Sequence, residues 1–185
     1  MMDHRSEDVR PESVPSDAAG PIAGWLSADH ARVDGFLTRA TAVDPIDPEP
    51  YAEFRRSLLR HIAIEEKLLF PAAQRARGGD PLALAARLRL DHGAIAALLV
   101  PTPTAAIIAT MRDILTAHNA LEEQSGGLYA ECDRLLASDA DAIVREMAVS
   151  PEVRVSQHND GPGVMAALRR ALERAGYRLR DGAED

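Results

Sequence analysis

Apolar residues recur at intervals of three and four from Ile22 onward, and Leu26, Val33 and Leu37 share one face of a helix that this period carries to about Val43. The run Asp44-Pro45-Ile46-Asp47-Pro48-Glu49-Pro50 then breaks it. Asp47 is placed to cap a second helix, with Pro48 at the first position, where a missing N–H is tolerated. The stripe Tyr51, Phe54, Leu58, Leu68 carries that helix to about Arg77, with a kink expected at Pro71, and Gly78-Gly79 ends it. Asp80-Pro81 repeats the cap signature and opens a third helix through Leu84, Leu88, Ile95 and Leu99, stopped by Pro101 and Pro103. A fourth is expected from about Thr104 to Ala137, along Ile107, Met111, Ile114, Leu115, Tyr129, Cys132 and Leu136. Short connections make successive helices antiparallel neighbours, so the expected fold is all-α, an up-and-down four-helix bundle over residues 21–137.

The flanks read differently. Residues 1–20 hold few large apolar groups and are expected to form a mobile N-terminal tail. Residues 138–185 predict a small C-terminal helical appendage: a helix near 139–147, an extended patch around Val153 and Val155, and a helix over about 162–175. Arg169, Arg170, Arg174, Arg178 and Arg180 read there as a solvated face.

Composition narrows the function classes. Aromatics are 4% of the 185 residues, so the core is largely aliphatic. A formal charge of -8 argues against a nucleic-acid partner, whose phosphates need a basic surface. The apolar stretch Ile95 to Met111 is broken by prolines and falls short of the roughly 20 residues that span a bilayer, so no membrane partner is expected. Cys132, the single cysteine, leaves no intrachain disulfide and no cysteine-based zinc site. With no apolar segment of a secretory signal near the N-terminus, a cytoplasmic setting is expected.

Four of the six histidines fall one per predicted helix: His30, His61, His92 and His118. Each sits on its helix's apolar stripe, so all four rings are expected to point inward. Glu65 follows His61 by four and Glu122 follows His118 by four, a spacing that stacks side chains on one helix face. A buried carboxylate needs a counter-charge, and no Lys or Arg shares these stripes. Glu66 and Glu123, about 100° further round, read as rim or solvent groups. The pattern occurs twice: Asp29-His30 then His61-Ile62-Ala63-Ile64-Glu65-Glu66, and Asp91-His92 then His118-Asn119-Ala120-Leu121-Glu122-Glu123. Two helical hairpins facing each other would present four imidazoles and two carboxylates to one volume, a set suited to two divalent ions. Iron or manganese suits it best, and ligand softness leaves zinc open. No histidine is preceded by a Glu at three positions, which disfavours the ferritin-like design built on Glu-x-x-His.

These residues, with Leu69-Phe70-Pro71 after the first Glu pair and Leu128-Tyr129 after the second, resemble the hemerythrin-like (HHE cation-binding) domains over about residues 21–137. The resemblance implies a non-heme di-iron centre, with dioxygen, nitric oxide or peroxide as the small ligand and roles in sensing, oxygen binding or stress defence. By position it implies His30, His61, Glu65, His92, His118 and Glu122 as metal ligands, Glu65 and Glu122 bridging. Oxygen-carrying members have a second histidine where this chain has Ala96, and an Asp five residues after the fourth-helix histidine, where it has Glu123. A more symmetric site, two histidines per iron, is therefore expected.

Asp34, a turn beyond His30, is read as a surface or supporting group. Extrapolation along a straight fourth helix puts Tyr129 and Cys132 roughly 16 and 21 Å from His118, as core residues. Gly126-Gly127 marks a kink or bulge in that helix, and His4 and His158 are expected in solvent. The leading expectation is a di-iron protein binding oxygen or nitric oxide; the alternatives are a di-iron enzyme acting on peroxide or ferrous iron, and a zinc- or manganese-stabilised interaction module. The sequence names no protein partner.

Overall fold

A computed structural model describes residues 19–181. Of the tail expected over residues 1–20, all but the last two lie outside the described residues, as does His4. The chain forms α1 (Pro21–Ala40), α2 (Pro48–Ile64), a π-helical turn (Glu65–Leu69), α3 (Phe70–Ala76), α4 (Ala85–Leu98), α5 (Ala105–Glu123), α6 (Leu128–Leu135), α7 (Ala140–Ala148) and α8 (Pro162–Arg174). There is no strand among the described residues, and none of their helices is long and apolar enough to cross a membrane.

Local chemistry sets the boundaries. The Asp47 carboxylate accepts from the Glu49 N–H at 3.1 Å, with Pro48 first in α2. Thr104 Oγ1 accepts from the Ile107 N–H at 3.3 Å and opens α5. The N-terminus of α1 is capped from a distance: Asp133 on α6 accepts from the Ile22 and Ala23 N–H groups at 2.9 and 3.0 Å. Gly20 makes this approach possible, since a Cβ there would lie 2.3 Å from the Asp133 carboxyl carbon.

Three elements differ from expectation. The second long helix yields at Glu65–Leu69, upstream of Pro71, where the Phe70 N–H reaches back five residues to the Glu65 carbonyl. Pro71 has no N–H to give, so the helical ladder already lacks a bond there and the adjoining turn can widen. The third helix begins at Ala85, after turns that follow Asp80-Pro81. The fourth is two helices, because Gln124 to Gly127 leave the helical path. Gly126 has φ 72°, and a Cβ on Gly127 would meet the Leu121 and Glu122 carbonyls at 2.7 Å.

Two apolar clusters fill the interior. One gathers Ile22, Leu26, Ile64, Phe70, Leu88, Cys132 and Met147; the other Val33, Leu37, Phe54, Leu58, Ile95, Met111, Ile114 and Leu172. Along the chain, α1 passes from the first (Leu26) to the second (Val33), α2 from the second (Leu58) to the first (Ile64), α4 from the first (Leu88) to the second (Ile95), and α5 leaves the second at Ile114. In each helix a histidine lies between the two clusters. α7 packs on α1 and α8 on α4, and arginines of the long helices hold their last carbonyls. Arg60 donates to the Met147, Ala148 and Ser150 carbonyls at 3.0–3.1 Å, and Arg87 to the Ala175 carbonyl at 2.8 Å. The segment around Val153 and Val155 is irregular.

Candidate metal centre

Between the apolar clusters, His30, His61, His92, His118, Glu65 and Glu122 come together. The side chains of Glu65 and Glu122 are wholly buried, and the four imidazoles are at most 9% exposed. The rings pair across helices, His30 with His61 and His92 with His118, at centroid separations of 4.4 and 4.8 Å. Potential ligand atoms of Glu65, His92, His118 and Glu122 lie within 4.8 Å of one another, as do those of His30, His61 and Glu65. Each such group can hold a metal ion.

Every Nδ1 atom faces a carboxylate. His61 meets Asp29 at 2.9 Å, His92 meets Glu66 at 2.8 Å, His30 meets Glu123 at 2.5 Å and His118 faces Asp91 at 3.6 Å. An ionised carboxylate only accepts, so the Nδ1 of His30, His61 and His92 must carry the proton. In these three rings Nε2 is thereby left as the inward atom that can give a lone pair to an ion once any second ring proton is displaced, the tautomer a metal-bound imidazole requires. Asp29 is in turn fixed by Arg32 at 2.7 Å and Asp91 by Arg87 at 2.9 Å.

These four carboxylates are what sequence reasoning missed or misplaced. Asp29 and Asp91 were visible as a repeated Asp-His dipeptide, but each serves the histidine of the next helix rather than its neighbour. Glu66 and Glu123 do lie at the rim, 26% and 37% exposed, yet each also bonds an imidazole. Asp34 is 65% exposed, faces Arg112 at 3.7 Å and borders the cavity beside His30 and His61. His158 is exposed as expected, beside Tyr51.

The two central carboxylates straddle the site. Glu65 directs Oε1 toward His61 Nε2 at 3.5 Å and Oε2 toward His92 Nε2 at 3.2 Å. Glu122 directs Oε1 toward His118 Nε2 at 3.2 Å and Oε2 toward His30 Nε2 at 3.5 Å. In the His92–His118 half these close approaches are not all hydrogen bonds: Glu65 Oε2, His92 Nε2 and Glu122 Oε1 are buried without a partner, as are His118 Nδ1 and both Asp91 oxygens behind them. Orphaned polar atoms of this kind cost free energy unless something else satisfies them, and nitrogen and oxygen atoms converging on one point suit a divalent cation.

Electrostatics points the same way. Among the protein groups alone, burial opposes a charge on His61, but Glu65 and Asp29 outweigh it and push its pKa up to about 10. On His118, burial is likewise overcome by Asp91 and Glu122, which raise it to about 9. Burial and the neighbouring Glu65 charge push Glu122 up to about 7, while burial and the His61 charge hold His30 down to about 4. Glu65 is held well below the usual carboxylate range: burial works against this, and His61 and His92 prevail. Protons thus occupy the places where cations would balance the acids.

Tyr129 requires the largest correction. Expected roughly 16 Å from His118 along a straight helix, it is instead carried back by the break at residues 124–127. Its hydroxyl stands 2.7 Å from Glu65 Oε1, 3.1 Å from Glu122 Oε2, 3.1 Å from His30 Nε2 and 3.4 Å from His61 Nε2. The Gly pair was the only sequence signal for this. Tyr129 and Cys132 do both pack in the apolar core, as expected.

A cavity of about 220 Å³ opens beside the centre, lined by His30, His61 and His118 with apolar walls from Val33, Leu58 and Ile95. A larger cleft of about 650 Å³ lies on the outer side of Asp29, bordered by Arg32, Arg56 and Arg60, and none of the four imidazoles lines it. Comparison of the chain with protein-family models, curated proteins and solved structures gave no match.

Proposed function

We propose that this chain is a hemerythrin-like protein whose residues hold two iron ions and bind dioxygen or nitric oxide for sensing, storage or stress response. In this reading residues 21–137 form an up-and-down four-helix bundle buttressed by residues 138–185. The alternating passage of α1, α2, α4 and α5 between the two apolar clusters supports that arrangement. The observation that carries the reading is a closed set of buried groups: inward Nε2 atoms, three of the four imidazoles hydrogen-bonded through Nδ1 to a carboxylate, and carboxylate oxygens left without partners.

His92 and His118 would hold one ion and His30 and His61 the other, with Glu65 and Glu122 shared between them. When bound, iron supplies a redox-active Lewis acid that takes up oxygen species or nitric oxide. The chain supplies the rest. Asp29, Asp91, Glu66 and Glu123 orient the rings, and the two carboxylates offset about two positive charges. Val33, Leu58 and Ile95 give the cavity apolar walls beside the rings, and Asp34, Arg112, Thr116 and Asn119 give it a polar side, a passage sized for a small ligand. With only two carboxylates among its six donors, the set stabilises high-valent iron less than a four-carboxylate site, which favours ligand binding over attack on C–H bonds.

The test loads metal-free protein with ferrous iron under anaerobic conditions, counts the iron, and follows the ultraviolet and visible spectrum as oxygen or nitric oxide is added and removed. About two irons per chain and a reversible spectral change are expected. Steady consumption of peroxide would shift the assignment to an enzyme, and zinc retained in preference to iron after growth in iron-replete medium would overturn it. His61→Ala and Glu122→Ala should each lower iron content and the thermal midpoint of the loaded protein, because an ion bound only by the folded state stabilises that state. Unchanged iron content in both would refute the ligand assignment.

A further inference from the structure

We propose that the phenolic oxygen of Tyr129 is a seventh metal ligand, serving the ion in the His30–His61 half alone. This rests on the di-iron reading above and makes the two halves chemically unequal, against the symmetric site that the histidine pattern suggests.

The repeat exposes the asymmetry. His30 corresponds to His92, His61 to His118, Glu65 to Glu122, and Phe70 to Tyr129, each aromatic residue following a Glu pair and a local break in the helix. Phe70 stacks on His92 at 6.1 Å, and Tyr129 lies against His30 at 5.7 Å. The rings are therefore equivalent in position, and the hydroxyl is the difference.

That hydroxyl has four polar neighbours, and all belong to one half: Glu65 Oε1, Glu122 Oε2, His30 Nε2 and His61 Nε2. One phenolic proton can be donated to only one of the two carboxylate oxygens at a time, although both lie within 3.1 Å of the hydroxyl. The separations, 2.7–3.5 Å among these five atoms where the structure gives them, match the edges of a coordination polyhedron. Bonds of about 2.0–2.2 Å place neighbouring ligand atoms about 2.8–3.6 Å apart, from octahedral to tetrahedral geometry. The anchoring is also built in: Asp133, one helical turn after Tyr129, caps the N-terminus of α1 and fixes α6 against the helix that carries His30. In the ligand role Tyr129 exchanges its O–H bond for an oxygen–metal bond, and the proton leaves to solvent. A hard phenolate oxygen favours ferric over ferrous iron in that half.

The experiment uses full-length protein loaded with ferrous iron and then oxidised in air. Tyrosinate bound to ferric iron gives a visible charge-transfer band and resonance-enhanced phenolate vibrations, readouts independent of any activity. Wild type should show both, and Tyr129→Phe should lose both while retaining its helix content and at least one iron per chain. The chain has three tyrosines. The double variant Tyr51→Phe/Tyr177→Phe, which leaves Tyr129 alone, should keep the band, and it tests the proposal even if Tyr129→Phe does not fold. Loss of the band in the double variant, or its survival in Tyr129→Phe, would overturn the assignment. Wild type that binds two irons without the band would reduce Tyr129 to a hydrogen-bond donor and leave the di-iron reading intact, whereas wild type that takes up no iron would overturn both.

Discussion

Replacing Asp29 with Ala removes the carboxylate behind His61. The side chains of Asp29 and His61 are 6% and 2% exposed, and a water entering from the cleft that Asp29 borders would bring no charge to replace the carboxylate. An orphaned buried donor costs about 1–3 kcal/mol. Independently, loss of the group that orients a metal-bound imidazole lowers metal affinity about 10–100-fold, or about 1.4–2.8 kcal/mol. The ranges agree because both describe one lost hydrogen bond in a low-dielectric setting. The Arg32 contact of Asp29 adds little, since the Arg32 side chain is 44% exposed and screened. Asn at position 29 keeps an acceptor without the charge and should fall near the tenfold end. Glu123 is 37% exposed, so water can stand in for it and Glu123→Ala should lie below Asp29→Ala. Competition against a chelator, with ferrous iron under anaerobic conditions, measures all three. Affinity of Asp29→Ala within about twofold of wild type, or a loss in Glu123→Ala as large as that in Asp29→Ala, would refute the reasoning.

Metal uptake must displace the protons held at pH 7 on His61 and His118, whose pKa values stand at about 10 and about 9, so affinity should climb with pH. Calorimetry in two buffers of different ionisation enthalpy counts those protons, and uptake without release would contradict the charge assignment. In the metal-free protein, His61 is raised from 6.5 in the folded state, so its contribution is complete below pH 6.5 and lost as pH rises through about 10. The metal-free melting temperature should fall over that range. Asp133→Ala removes the cap of α1 and should cost about 0.5–2 kcal/mol by denaturant titration; no change would mean that water serves the Ile22 and Ala23 N–H groups equally well. Ile62→Trp, at the edge of the 220 Å³ cavity, should slow ligand association by stopped flow without changing iron content, and an unaltered rate would show that ligands enter elsewhere.

The helices and the six central residues were legible because both are written in the period of a single helix. His30, His61, His92 and His118 share faces with their apolar neighbours, and i, i+4 spacing sets Glu65 and Glu122 beside their histidines. What depends on a second helix was not legible. Spacing along α1 says that Asp29 is near the inner face, but not that its partner is His61 on α2. Glu66 and Glu123 look like rim residues on their own helices, and the bonds that give them a role cross between hairpins. Tyr129 was misplaced for a related reason: a rise of about 1.5 Å per residue holds only while the helix continues, and the turn at Gly126 redirects everything beyond it.

The crossing carboxylates have a consequence for how such a molecule is put together. Glu123 of the second hairpin meets His30 of the first, and Glu66 of the first meets His92 of the second. Reciprocity of this kind, in which one half gives what it also receives, is the signature of a two-fold contact between identical partners. A single polypeptide here holds the arrangement that two copies of one helical hairpin would adopt as a dimer. Cutting the chain at Gly78-Gly79 should therefore yield halves that are incomplete when separate and complementary when mixed, with Tyr129 opposite Phe70 marking where the two halves differ.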